Sequence, residues 1–110
     1  MIKIVFGQEG NKLTLTMKGH AGYSDAGDDI VCAGASAIAY TLLGYLVEVC
    51  GDNLVYKDYS GDLSASCPIV NAKVTVAFGM AQTGFLQLER AYPSHVRVEK
   101  FQKSRKMGTT

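Results

Sequence analysis

The stretch from Asp28 to Gly51, DDIVCAGASAIAYTLLGYLVEVCG, constrains this chain more than any other. Between Ile30 and Cys50 its only charged side chain is Glu48. Val31, Ala35, Ile38, Leu42, Leu46 and Val49 recur at spacings of three and four, the period of a helix with one apolar stripe. Asp28 or Asp29 is placed to cap its start, and Gly51 to close it. The first turns are small, with Ala33, Gly34, Ala35, Ser36, Ala37 and Ala39, so this helix can lie close to a sheet or to a second helix. Gly44 costs about 1 kcal/mol relative to alanine in a helix interior, which predicts close packing or a bend there.

A helix of this kind needs a partner for its stripe. No segment reaches the roughly 20 uninterrupted apolar residues that span a bilayer. The opening MIKIVF is too short for the apolar part of a signal peptide, and Lys3 interrupts it. The cover must therefore come from the rest of the 110 residues, a length suited to one domain. IKIVF and KLTLTMK flank the turn-forming GQEGN, and Leu13, Leu15 and Met17 alternate with Thr14, Thr16 and Lys18, so these two runs predict an antiparallel hairpin.

NLVYKDY and IVNAKVTVAF read as two further strands joined through SGDLSASCP, with Ala72, Val74, Val76 and Phe78 on one face. A second helix then carries Ala81, Phe85, Leu88 and Tyr92 on one side, and PSHVRVEKF gives a last strand. The order β-β-α-β-β-α-β predicts an α+β fold with helices on one face of a mainly antiparallel sheet. One domain over residues 1–101 is expected, followed by a basic, solvated tail over 102–110.

A net charge of +1 gives no global pull toward nucleic acid or membrane. Arg97, Lys100, Lys103, Arg105 and Lys106 gather five of the eleven basic residues near the C-terminus. With the rest of the chain near neutral, that reads as a solvated end, not a strong nucleic-acid signal. Three cysteines without a secretion signal argue for reduced thiols in a cytoplasm. No CxxC pair and no His/Cys cluster offers a metal set, and no cofactor is expected.

Chemistry concentrates in GHAGYSDAGDDIVCAGAS, residues 19 to 36. His20 ends the second strand, Cys32 begins the long helix, and the loop 19–28 folds back between them. A free thiol is only a few per cent thiolate at neutral pH. The helix macrodipole contributes about 0.3–1 kcal/mol, whereas one pKa unit is worth about 1.4 kcal/mol, so the dipole alone is too weak to activate Cys32. An imidazolium within hydrogen-bonding reach supplies the rest in paired Cys–His sites, and His20 is the candidate. Asp25, Asp28 and Asp29 cut both ways: a carboxylate beside the thiol opposes ionisation, while one beside His20 would orient it.

By residue type alone, a cysteine in an alanine-rich helix is more often an inert core residue. Cys50 and Cys67 read that way, His95 reads as a half-exposed turn residue, and Asp28-Asp29 as a simple cap. The glycine-rich loop matches neither GxGxxG nor GxxxxGK[ST], and its carboxylates disfavour phosphate.

The residues GHA at 19–21 and DIVCAGAS at 29–36 resemble the signature of the ribosomal-processing cysteine protease family (Prp). The resemblance is dense across the signature and architectural elsewhere. It implies a cytoplasmic cysteine peptidase acting as a homodimer, with a Cys–His dyad carried onto Cys32 and His20. In that family the substrate is a large-subunit ribosomal protein, the twenty-seventh, which loses a short N-terminal extension by cleavage after an aromatic residue. Within the signature, Gly19, Asp28, Asp29 and Ser36 become candidate orienting or loop residues. Gly22 and Gly27 become the points at which the loop opens for a peptide and closes over it. Backbone N–H groups at the helix start, that of Cys32 included, become candidates for the oxyanion. Two rival readings compete: a non-catalytic module that binds the ribosome, and a thiol redox sensor in which Cys32 pairs with Cys50 or Cys67.

Overall fold

Alternation decides the sheet. In β1 (Ile2–Glu9) the side chains of Ile2, Ile4 and Phe6 are buried while Lys3 between them is exposed. In β2 (Lys12–Lys18) Leu15 takes the inner side, opposite Phe6. The computed structural model describes residues 1–22, 24 and 29–103 and continues as α1 (Ile30–Cys50), a 3-10 turn (Gly51–Asn53), β3 (Val55–Tyr59), β4 (Asp62–Cys67), α2 (Ala72–Ala91) and β5 (Val96–Lys103). This is the expected β-β-α-β-β-α-β order. Spatially the strands run β3-β4-β2-β1-β5, and every pair is antiparallel except β1 with β5.

Both helices join one core with the inner face of the sheet, so they lie on the same side of it. Phe6 meets Phe78 and Phe85 of α2 with ring centroids 6.4 and 5.9 Å apart, in edge and tilted contacts of the kind that favour aromatic pairs. From α1, Val31, Ala35, Ala39, Leu42, Leu43, Leu46 and Cys50 are buried. Ile38 and Val49 of the expected stripe are only partly covered, and Ala39 and Leu43 take the inner positions. By length and mean hydropathy of 1.9, Ile30–Asn53 is apolar enough to cross a membrane; here its inner face is committed to the core.

One expectation fails. Residues 69–78 do not form a strand: α2 begins at Ala72, and the fourth strand is the Asp62–Cys67 segment read as a connector. The run Val74-Thr75-Val76 looks like a strand because it is β-branched, but local propensity yields to packing. Val74, Phe78, Ala81 and Phe85 are buried at helical spacing while Val76 is 59% exposed. Asn71 caps the helix, accepting from Val74 N at 2.9 Å. In β4 small residues alternate properly, with Leu63, Ala65 and Cys67 inward against Met17, Leu15 and Leu13 of β2. The first hairpin also differs in extent, since β1 runs through Gly7–Glu9 and only Gly10-Asn11 turn.

Gly51 does close α1, its N–H donating to Val47 O. Close packing is not found at Gly44, where an added Cβ meets nothing within 4 Å. It occurs instead at Gly34 and Gly84, where a Cβ would lie 3.4 Å from Leu88 Cδ1 and 3.3 Å from Ile38 Cδ1. Residues 104–110 of the basic tail lie outside the described residues.

Candidate active site

Asp29 is the N-cap of α1. Its Oδ1 accepts from Val31 N at 3.0 Å and from Cys32 N at 2.9 Å, which satisfies two of the donors a helix start leaves open. Cys32 is thereby fixed in the first turn, half-buried, with its thiol turned toward the end of β2. There the Ala21 N–H donates to Cys32 Sγ at 3.2 Å. The Cys32 amide is already engaged by Asp29, so it is not an open donor for an oxyanion. Asp28 and Gly27, named above, lie outside the described residues, as do Tyr23 and Asp25.

The opposite wall comes from the two-residue turn between β3 and β4. Gly19 N donates to Gly61 O at 2.9 Å, tying the end of β2 to that turn. Gly19 has φ +92 and a side chain there would run into the Met1 carbonyl, so only glycine fits. Next along the chain, the exposed ring of His20 rests over Gly61, whose φ is +72.

His20 and Cys32 therefore line one groove of about 470 Å³. Ser36, one helical turn beyond Cys32, lines it as well, followed by Tyr40 a turn further on. The Tyr40 hydroxyl donates to Asp58 Oδ1 at 3.0 Å, a bond that bridges α1 to the end of β3 and pushes the Tyr40 proton loss above its ordinary 10.0. Asp62 also lines the groove; its Oδ2 pairs with Lys57 at 3.2 Å while Oδ1 is buried without a partner. Among the described residues, no hydrogen bond joins His20 to Cys32. Gly22, with φ +69, follows Ala21 at the point where the loop leaves the sheet.

Of the residues singled out from the sequence, His20, Cys32 and Ser36 line this groove and Asp29 caps the helix, while the wall formed by Tyr40, Asp58, Tyr59 and Gly61 was not anticipated. The spacing of Ser36 and Tyr40 behind Cys32 was the available signal; the β3–β4 turn offered none beyond its Ser-Gly pair. A larger groove, about 760 Å³, lies between the helices and is lined by apolar residues such as Tyr45, Val76 and Met80, with Lys73 its one charged group. It holds no cysteine, histidine or carboxylate, whereas the smaller groove holds His20, Cys32, Asp58 and Asp62.

The other two cysteines are elsewhere. Cys50 and Cys67 are both buried, their sulfurs 2.6 Å apart as free thiols. Burial first, and then the Cys67 thiol, push Cys50 up to about 11. At 1.5 Å per helical residue, Cys32 stands roughly 27 Å from this pair along α1. A bridge needs Cα atoms about 4.4–6.8 Å apart, so Cys32 pairs with neither without unfolding α1. No group of three or more His, Cys, Asp or Glu side chains suited to a metal occurs among the described residues.

The sequence model of a family described as cysteine protease Prp matches residues 1–97. No curated protein matches the chain. Among solved structures, the essential ribosomal processing protease Prp from S. aureus with a covalently linked product peptide aligns with a TM-score of 0.80 at 23% identity, covering 91% of this chain and 99% of its own. The same enzyme with a substrate peptide gives 0.74 at 20% identity, with the same coverage. SMU.848 from Streptococcus mutans gives 0.70 at 25% identity, covering 94% of this chain and 96% of its own.

Proposed function

The chain belongs to the cysteine protease Prp family, and on that premise we propose that it trims a short N-terminal extension from a large-subunit ribosomal protein. The chain is thus a cysteine peptidase; substrate and dyad are our reading. The observation that carries it is the shared groove: the family's histidine and cysteine, His20 and Cys32, meet at one opening although a loop separates them in sequence. The ribosomal substrate draws support from the S. aureus relatives, which are ribosomal processing proteases solved with peptides.

In this mechanism His20 takes the Cys32 proton and the thiolate attacks the scissile carbonyl, forming a tetrahedral oxyanion. The carbonyl reforms as the C–N bond breaks, and His20 returns the proton to the leaving amine. Water, deprotonated by His20, then attacks the thioester; the acid product leaves and Cys32 Sγ regains its proton. The exposed position of His20 at the groove leaves its ring open to the substrate's leaving group and to water in both steps. The groove walls supply the binding surface, with Tyr40 and Tyr59 offering aromatic faces to apolar substrate side chains.

A homodimer and a cytoplasmic setting, implied by the family resemblance, complete the proposal; sedimentation of the purified chain measures the first. The redox reading with Cys32 is disfavoured by its separation from Cys50 and Cys67. A binding module without catalysis leaves the His20–Cys32 groove without a use.

The test is mass spectrometry of the protein with peptides spanning such an extension, wild type beside Cys32→Ala. Cleavage after an aromatic residue, lost in the variant while circular dichroism stays unchanged, supports the reading. Equal cleavage by Cys32→Ala removes Cys32 from the mechanism, and an intact peptide with both proteins removes the substrate.

A further inference from the structure

The second histidine also reaches this site, from behind. His95 Nδ1 lies 2.9 Å from the carbonyl oxygen of Ala21, across 74 positions of sequence. Ala21 is 2% exposed, and its own N–H is the donor to Cys32 Sγ. We propose that His95 is a positioning residue for the nucleophile: it holds Ala21 so that the Ala21 N–H points at Cys32 Sγ and His20 stands at the groove. The proposal rests on the reading of Cys32 as nucleophile.

The two partners differ in rigidity. Ala21 sits on the irregular chain after β2, followed by Gly22 with its positive φ, so nothing in a strand or helix ladder fixes its peptide planes. His95 sits in the turn between α2 and β5 and is held at both ends. Its N–H donates to Tyr92 O at 3.0 Å, and its carbonyl accepts from Ile2 N at 2.9 Å. Immediately after it, Val96 enters the β1–β5 pairing opposite Ile2. An anchored ring thus pins a segment that has no ladder of its own.

Hydrogen-bond polarity fixes the roles. A carbonyl oxygen only accepts, so Nδ1 carries the hydrogen. That holds for the neutral Nδ1–H tautomer and for the doubly protonated ring alike. At the other side of Ala21, an amide N–H aimed at sulfur serves a thiolate better than a thiol, because charge-assisted hydrogen bonds are the stronger ones. Releasing Ala21 therefore removes a donor from the reacting sulfur and loosens the residue next to His20 in one step. Substrate-contacting walls such as Tyr40 and Tyr59 are untouched, so the loss falls on turnover more than on binding.

Side-chain length provides the discriminating test. The amide nitrogen of asparagine branches from Cγ, as Nδ1 of histidine does, whereas that of glutamine lies one carbon further out. Wild type, His95→Asn, His95→Gln and His95→Ala are compared as full-length proteins for kcat and KM on the extension peptide, and for the rate at which iodoacetamide labels Cys32 at neutral pH. Loss of one such hydrogen bond predicts a roughly tenfold drop in kcat and in labelling rate for His95→Ala, with KM within about twofold. His95→Asn should recover most of both, and His95→Gln should not.

Wild-type labelling and turnover in His95→Ala would overturn the proposal. So would His95→Asn as impaired as His95→Gln when both melt as the wild type does. If His95→Ala fails to fold, the Asn–Gln pair alone decides. If even the wild type leaves the peptide intact, the substrate reading has failed, while the Cys32 labelling series still judges His95.

Discussion

The imidazole of His20 lies over Gly61 so closely that a Cβ added at Gly61 would sit 2.8 Å from Nε2 and 3.3 Å from Cε1. The groove's histidine is therefore seated by a residue of a different hairpin. Gly61 has two reasons to be glycine: its φ of +72 belongs to the region L side chains avoid, and its missing side chain is where the ring rests.

Gly61→Ala is expected to cost about 1–2 kcal/mol of stability from the backbone conformation alone. Beyond that, the ring of His20 is displaced from its seat, so cleavage should fall by roughly tenfold or more at temperatures where the variant is fully folded. Thermal melts and peptide turnover measured together separate the two effects. Wild-type kcat in a folded Gly61→Ala protein would show that His20 does not need this seat.

Asp29 is the second residue that serves both fold and site. It is 7% exposed and its Oδ1 accepts two helix N–H bonds, one of them from Cys32 itself. Asp29→Ala should lose about 1–2 kcal/mol, the upper part of the range for cap removal, and melt several degrees lower. Asp29→Asn keeps an acceptor oxygen and should lie close to wild type in stability. Equal melting of Asp29→Ala and wild type would mean that another acceptor replaces the cap.

What the sequence made legible follows the range of the forces involved. Both ends of α1 could be read because a cap and a closing glycine act within a turn of the helix they bound. His20 could be offered as a partner for Cys32 from residue chemistry, and the resemblance strengthened that pairing; the bond that joins their segments, Ala21 N to Cys32 Sγ, spans a loop whose path no local pattern sets. The fourth strand was misplaced because Val74-Thr75-Val76 has strand-like composition; the deciding facts were Asn71 as a cap and the burial of Phe78 and Phe85 against Phe6. His95 reads correctly as a half-exposed turn residue, yet nothing local to it announces Ala21. Tyr40 and Asp58 meet across two elements and were invisible for the same reason.

Exposure separates the three thiols. Cys32 is half-buried at the edge of a groove, whereas Cys50 and Cys67 are 4% and 0% exposed. Brief treatment of the native protein with iodoacetamide should label Cys32 alone, and labelling of the other two should appear only with denaturant. Peptide mapping reads the sites directly. Early labelling of Cys50 would mean that the end of α1 opens far more readily than its burial implies.

Cys50 makes stability depend on pH in the alkaline range. Its thiol is pushed from 9.0 up to about 11 by burial and by Cys67, so the folded protein keeps a proton that the unfolded chain gives up near pH 9. Below pH 9 both states hold it and the group has no effect on stability. Between pH 9 and 11 the unfolded state binds fewer protons, and stability falls as pH rises, by at most about 1.4 kcal/mol per pH unit from this group. Tyr40, whose proton is also held more tightly in the fold, acts in the same direction at higher pH. Comparing variants isolates the cysteine: in reducing buffer, Cys50→Ala should be less stable at neutral pH because a buried side chain is truncated, but its stability should decline less between pH 9 and 11. Parallel declines in urea titrations of the two proteins would show that the buried Cys50 thiol is not the group responsible.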